Sequence, residues 1–209
     1  MGPAARTVTF AITVITALAW AITVALGLEG QAALGLGFIP ARLSGFPVPW
    51  PALPVWLTPL SATLVHSGLV HLGFNLLIFV WCGTLVERIL GKGGLVLLYL
   101  IGAYAAALAQ WGVNTHAGIP MVGASGAISA VMGAYALSYG RPRQFTRSAA
   151  ANRWINAVWL LVAWTVLQAM MGWLAGGQGY LLATPAHVGG FAAGLLLQRP
   201  LLLWRYRTA

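Results

Sequence analysis

The chain has 209 residues, 60% hydrophobic and only 6% charged, with two acidic side chains and a formal net charge of +9. Soluble domains carry about a quarter charged residues, so this composition cannot coat a water-facing surface and excludes an ordinary soluble protein. The cations sit in short stretches between apolar runs and near the C-terminus, as topology signals do and a nucleic-acid surface does not, and the lone Cys82 permits no internal disulfide.

Six apolar segments, each near the ~20 residues a bilayer needs, fall at 8–28, 64–86, 94–113, 123–140, 153–174 and 184–204. They predict an all-α, polytopic membrane protein: one six-span domain over 1–209 with no linker and no second domain. The first run, Val8 to Leu28, is longer than the ~7–15 residues of a signal-peptide core, so it reads as a retained span. Next comes a long connection, 29–63, containing PVPWPALPVW with prolines at 47, 49, 51 and 54. Proline bars regular helix and favours extended or turned backbone, and Trp50 and Trp56 suit a lipid–water interface. This connection is expected to lie partly in the interface, packed on protein.

The second run opens HSGLVHLGFN, carrying His66, His71 and Asn75, and its far end carries Glu87 and Arg88, read as a structural polar pair. His116, before the fourth run, reads as solvated. The fourth run opens with Gly123-Ala124-Ser125-Gly126, and the sixth opens AHVGGFAAG, with His187, Gly190 and Gly194. Ten of the eleven cations (Arg6; Arg88 and Lys92; Arg141, Arg143, Arg147 and Arg153; Arg199, Arg205 and Arg207) fall on alternate sides of the spans, leaving Arg42 opposite. The positive-inside rule then puts both termini in the cytoplasm.

Spans 2, 4 and 6 run from outside to inside in this topology, so His71, Asn75, Ser125 and His187 share one depth near the outer surface. His71 and Asn75 are i and i+4, on one helix face, and both can donate hydrogen bonds. Ser125 opens a helix, where unpaired backbone N–H groups favour negative charge and would stabilise an oxyanion. An imidazole with a pKa near 6.5, such as His187, is suited to take and return a proton. The acids do not complete a triad: Glu87 is twelve residues past Asn75, about 18 Å along a helix at 1.5 Å per residue, and Glu29 is unplaced in the first loop. A Ser–His dyad is the economical reading.

Each piece has a plainer explanation. Gly126, Ala130 and Ala134 form a small-residue stripe of the kind that packs helices in lipid. Taken alone, the serine between glycines is more often packing than catalysis, and a lone histidine is most often structural. Those explanations must account separately for one shared depth on three helices. Gly190 and Gly194 form a second close-packing pair, expected against span 4. A metal site is not expected, since His66 and His71 are five apart with no acid nearby.

In combination, HSGLVHLGFN, CGTLVERILG, GASGAISAVMGAY and AHVGGFAAG resemble the rhomboid family of intramembrane serine proteases over nearly the whole chain. The resemblance implies Ser125 as nucleophile, His187 as general base, and His71, Asn75 and the Ser125 backbone N–H as an oxyanion hole. It implies structural roles for His66, Glu87 and Arg88, substrates that are single-span membrane proteins, and no cofactor; Gly123, Gly126, Gly190 and Gly194 are read as structural from the close backbone approach that glycine allows. Two departures stand out. The family's Trp-Arg motif before span 2 is here Val55-Trp56-Leu57-Thr58-Pro59, and the aromatic one turn after the nucleophile is here Ser129. The Ser129 hydroxyl is then a candidate to orient the imidazole. The expected protein is an intramembrane endopeptidase of a bacterial plasma membrane, in the lipid bilayer and without a nucleic-acid partner; the pattern specifies no oligomeric state. The competing expectations are an inactive rhomboid-like protein that binds membrane spans and a small transporter. The transporter would need a polar path inward, and the apolar stretch Leu76 to Val80 offers none.

Overall fold

Eight α-helices account for most of the residues that the structure, a computed structural model, describes: 7–139, 144–174 and 183–207. Three of the cations used to orient the spans, Arg6, Arg141 and Arg143, lie outside them. The helices are α1 (Val8–Ala25), α2 (Glu29–Leu36), α3 (Pro40–Leu43), α4 (Thr58–Ser61), α5 (Leu69–Val113), α6 (Ser125–Ser138), α7 (Ala149–Leu174) and α8 (Thr184–Arg205). Two of these, Val8–Ala25 and Leu69–Val113, are long and apolar enough to cross a membrane by length and composition.

The second and third apolar runs form the two helical arms of α5, which meet at a kink with no intervening loop. The reversal is concentrated at Gly91, with φ 75° and ψ 172° inside α5. Positive φ is a conformation that a side chain resists and glycine accepts. The arm before Gly91 ends with carbonyls that have no intrahelical donor. Arg205, in the last turn of α8, donates to the carbonyls of Glu87 and Arg88 and closes that end. The N-terminus of the arm also differs from the hydropathy boundary. Residues 62–64 form a 3₁₀ turn, and α5 begins at Leu69.

The core is formed by α5, α6 and α8. The short α6 is almost entirely buried, from Ser125 through Ala134. Close approach of backbones makes this possible. A Cβ on Gly190 would run into the Gly126 carbonyl, and one on Gly194 into the Ala130 carbonyl. Two helices without side chains at the crossing gain dispersion contacts that lipid cannot replace. α1 lies against α5, and the Glu87 carboxylate accepts from Val8 N and Thr9 N (both 2.9 Å) and from Thr9 Oγ1 (2.7 Å). Glu87 therefore caps the first helix, whose N–H groups attract negative charge. It does not pair with Arg88.

The long connection between α1 and α5 is more helical than its prolines suggest. α2, α3 and α4 flank an irregular stretch over 44–54, and Pro40 and Pro59 occupy first-turn positions, where the missing N–H is no loss. This connection is sewn to the segment before α6. Phe38 and Met121 exchange both backbone hydrogen bonds (3.0 and 2.7 Å), Ala41 N donates to Ala117 O (3.0 Å), and Gly123 N donates to Ala62 O (2.9 Å). Large apolar side chains face outward around the molecule, among them Leu69, Val113, Trp159 and Leu196, as expected where the surrounding solvent is lipid.

Candidate active site

Ser125 is the first residue of α6, and its N-cap, Ala124, supplies no side-chain acceptor. The opening N–H groups of that helix are therefore not consumed by a cap. His187 lies in the first turn of α8. The contact between α6 and α8 brings the two side chains together: Ser125 Oγ lies 2.8 Å from His187 Nε2, and both residues are buried. This is hydrogen-bond geometry for a hydroxyl donating to a neutral imidazole. The other ring nitrogen, Nδ1, has no partner among the described residues. Both acids of the chain are described, and neither reaches it: Glu87 caps α1 and Glu29 lies exposed in the first turn of α2.

His71 and Asn75 converge on the loop that leads into Ser125. A Cβ placed on Gly123 would sit 2.8 Å from His71 Nε2 and 3.6 Å from Asn75 Nδ2. Gly123 also has φ +112°, so any side chain there meets both strain and collision. Asn75 is fully buried, and its Nδ2 has no partner among the described residues. Gln168 on α7 approaches its other amide atom, with Nε2 3.5 Å from Asn75 Oδ1. A carbonyl oxygen engaged on one side leaves the amide N–H groups for something else. His71 Nδ1 lies 3.0 Å from Ser67 Oγ. When that hydroxyl donates, the ring proton is on Nε2, facing Gly123. Two donors thus border the backbone two residues before Ser125. His66 supports the same loop: its Nε2 accepts from Ala124 N at 3.4 Å, and its ring meets His71 edge-on at 5.0 Å. A small cavity beside Ser125 is lined by Thr63, Met121, Gly123, Gly126, Ala183 and Ala186.

Ser129 does not orient the imidazole directly. Its hydroxyl donates to the Ser125 carbonyl (2.7 Å) and accepts from Trp164 Nε1 (2.7 Å). Arg88 contributes a backbone carbonyl rather than its charge. His116 is exposed, next to Phe46. Sequence reasoning missed Ser67, Trp164 and Gln168. Ser67 was within reach, since it stands four residues before His71, just ahead of α5. It also missed what anchors the first connection, where Arg42 Nη2 donates to the Leu53 carbonyl at 2.7 Å.

A helical bundle with a lipid-type surface and a buried, carboxylate-free serine–histidine pair defines a narrow class of membrane protein. The sequence model of the rhomboid domain matches residues 54–204. The chain belongs to the rhomboid family, a family of integral membrane proteins. It is 31% identical over 157 residues to rhomboid protease GlpG of Pectobacterium atrosepticum, covering 73% of this chain and 50% of that protein. It is 33% identical over 98 residues to rhomboid protease GluP of Bacillus subtilis, covering 46% and 19%. With rhomboid-type serine protease 2 of Emericella nidulans the figures are 30% over 151 residues, 70% and 27%. The chain spans about half the length of the GlpG relatives it matches.

Proposed function

We propose that this chain is an intramembrane serine endopeptidase that cuts single-span membrane proteins. The observation that carries the reading is the 2.8 Å contact between Ser125 Oγ and His187 Nε2, made by residues 62 apart in sequence. Names of the relatives support it: GlpG and GluP are rhomboid proteases, and the Emericella protein is a rhomboid-type serine protease.

In the proposed reaction, Ser125 Oγ attacks a peptide carbonyl while its proton passes to His187 Nε2. The carbonyl oxygen becomes an oxyanion, stabilised by donors from His71, Asn75 and the Ser125 backbone N–H. The C–N bond breaks as His187 returns the proton to the departing amine. An ester to Ser125 remains. Water, deprotonated by His187, then attacks that ester and releases the carboxylic acid and the free serine. The scissile backbone must leave its helix to be reached, which favours substrates with helix-breaking residues near the cut. The proposed setting is a single domain of six spans in a bacterial plasma membrane, the two arms of α5 counted as two spans and both termini cytoplasmic. The charge alternation of the sequence supports that orientation.

The test is cleavage of a purified single-span reporter in proteoliposomes. Wild type should release two fragments, and Ser125→Ala and His187→Ala should release neither. Cleavage that survives Ser125→Ala would refute the assignment.

A further inference from the structure

His187 poses a problem of orientation. An imidazole that serves as a base is usually fixed by a hydrogen bond to its second nitrogen, which sets both tautomer and ring rotation. Here Nδ1 has no partner among the described residues. Rotation about the terminal torsion of histidine is broad and roughly two-fold, so the backbone alone does not choose the ring's direction. Something else must hold the plane.

Trp164 is placed to do so. It comes from α7, is 1% exposed, and meets the His187 ring edge-on, with centroids 6.2 Å apart and planes at 63°. Aromatic rings favour such an edge-to-face arrangement at centroid separations of about 4.5–7 Å. The indole is itself located from two sides. One face stacks on Phe74, the neighbour of Asn75, at 5.8 Å and 19°. Its Nε1–H donates to Ser129 Oγ at 2.7 Å, and that hydroxyl donates to the Ser125 carbonyl at 2.7 Å. A closed circuit results: Ser125, one helical turn to Ser129, across to Trp164, and back through His187 to Ser125. Ser129 is fully buried at the α6–α8 contact, where a Cβ on Gly190 would lie 3.1 Å from its Cβ, and the indole reaches its hydroxyl from α7.

We propose that Trp164, anchored by Ser129, is a positioning residue that holds the His187 imidazole in line with Ser125 Oγ. The proposal rests on the Ser125–His187 dyad being the reacting pair. It assigns Trp164 no contact with the scissile bond and no proton. Its effect is on the fraction of time that Nε2 points at the hydroxyl, so it acts on turnover and on the intrinsic reactivity of Ser125, not on substrate affinity.

The experiment compares two readouts in detergent-purified full chain: kcat and KM on a single-span reporter, and the second-order rate at which a small fluorophosphonate modifies Ser125. Misplacing a reacting group by about 1 Å can cost about a hundredfold, so Trp164→Leu should lower kcat by at least about tenfold with KM within about twofold. The fluorophosphonate rate should fall by the same factor. Trp164→Phe keeps a ring but not the N–H, and Ser129→Ala removes the acceptor. Each should slow modification by at least about threefold, and the double variant should be no slower than Ser129→Ala alone, because that variant already lacks the hydrogen bond that Trp164→Phe deletes. That cycle decides the matter should Trp164→Leu not fold, as judged by its thermal melt. An unchanged fluorophosphonate rate in folded Trp164→Leu, a change in KM alone, or additive effects of Trp164→Phe and Ser129→Ala would overturn the proposal. Failure of the underlying dyad reading looks different: wild type itself would not react, or Ser125→Ala would still be modified. Either would remove this proposal as well.

Discussion

Gly123 shows how much of the site depends on one missing side chain. Its φ of +112° and its closeness to His71 and Asn75 are two separate reasons for glycine. Gly123→Ala would push both donors away from the loop that leads into Ser125. We expect it to lower kcat on a single-span reporter by at least about tenfold while KM changes little, the pattern of a loss confined to the transition state. Asn75 should behave similarly for a different reason. Deleting one oxyanion donor costs about 10²–10³ in kcat where it has been measured, and Asn75→Ala should fall near the lower end of that range because His71 and backbone N–H remain. Steady-state kinetics on the two variants checks both values. Much of this scale is legible in the amino-acid sequence alone. A shared depth on three spans points to Ser125, His187, His71 and Asn75, and the family resemblance supplies their roles. The contacts that α7 brings to the site are not legible there. Trp164 and Ser129 are 35 apart, Gln168 and Asn75 are 93 apart, and each contact depends on how α7 is rotated about its own axis, which apolar content in a span does not encode.

Helix packing sets the distances within the site. The Ser125–His187 contact exists because α6 and α8 approach until backbone meets backbone at Gly126–Gly190 and Ala130–Gly194. Gly194→Val lies two turns from His187 and would force the helices apart. Overpacking of this kind costs about 1–3 kcal/mol. The melting temperature in detergent should fall, and fluorophosphonate reactivity should fall with it even at temperatures where the variant is folded. A variant that melts as wild type does would contradict the close approach. Glu87 acts at the opposite end, joining α1 to α5 through three hydrogen bonds. Removing it leaves a partly buried donor on Val8 and the buried donors of Thr9 without an acceptor, at about 1–3 kcal/mol. Glu87→Ala should lower the melting temperature while leaving the reactivity of the remaining folded protein close to wild type. The sequence marks Glu87 and Arg88 as neighbours but not what they bind, since both partners, the start of α1 and Arg205, are remote along the chain. It also marks the two arms of α5 as separate segments, but not how short the turn between them is. Hydropathy registers the polar Gly91-Lys92-Gly93-Gly94 stretch as a gap, whereas the backbone needs one glycine to turn.

At the scale of the whole molecule, the apolar surface and the proposed topology demand that the Ser125–His187 pair open toward the outer side of the membrane. With Cys82 replaced by serine, a cysteine introduced at His116 should react with an impermeant maleimide in intact cells, and one introduced at Phe145 should react only after the cells are broken. The reverse pattern would invert the orientation. The two-acid composition of the chain carries the same logic inward. With one carboxylate capping a helix and the other exposed on α2, the serine has only an imidazole for activation. The most direct test of the account is therefore the chemistry of that serine. Purified protein is incubated with a fluorophosphonate, its intact mass is measured, and the adduct is located by peptide mapping, beside Ser125→Ala and His187→Ala. The account predicts a single adduct on Ser125 in wild type and none in either variant. A folded wild type that gains no mass, or an adduct that persists in Ser125→Ala, would contradict it.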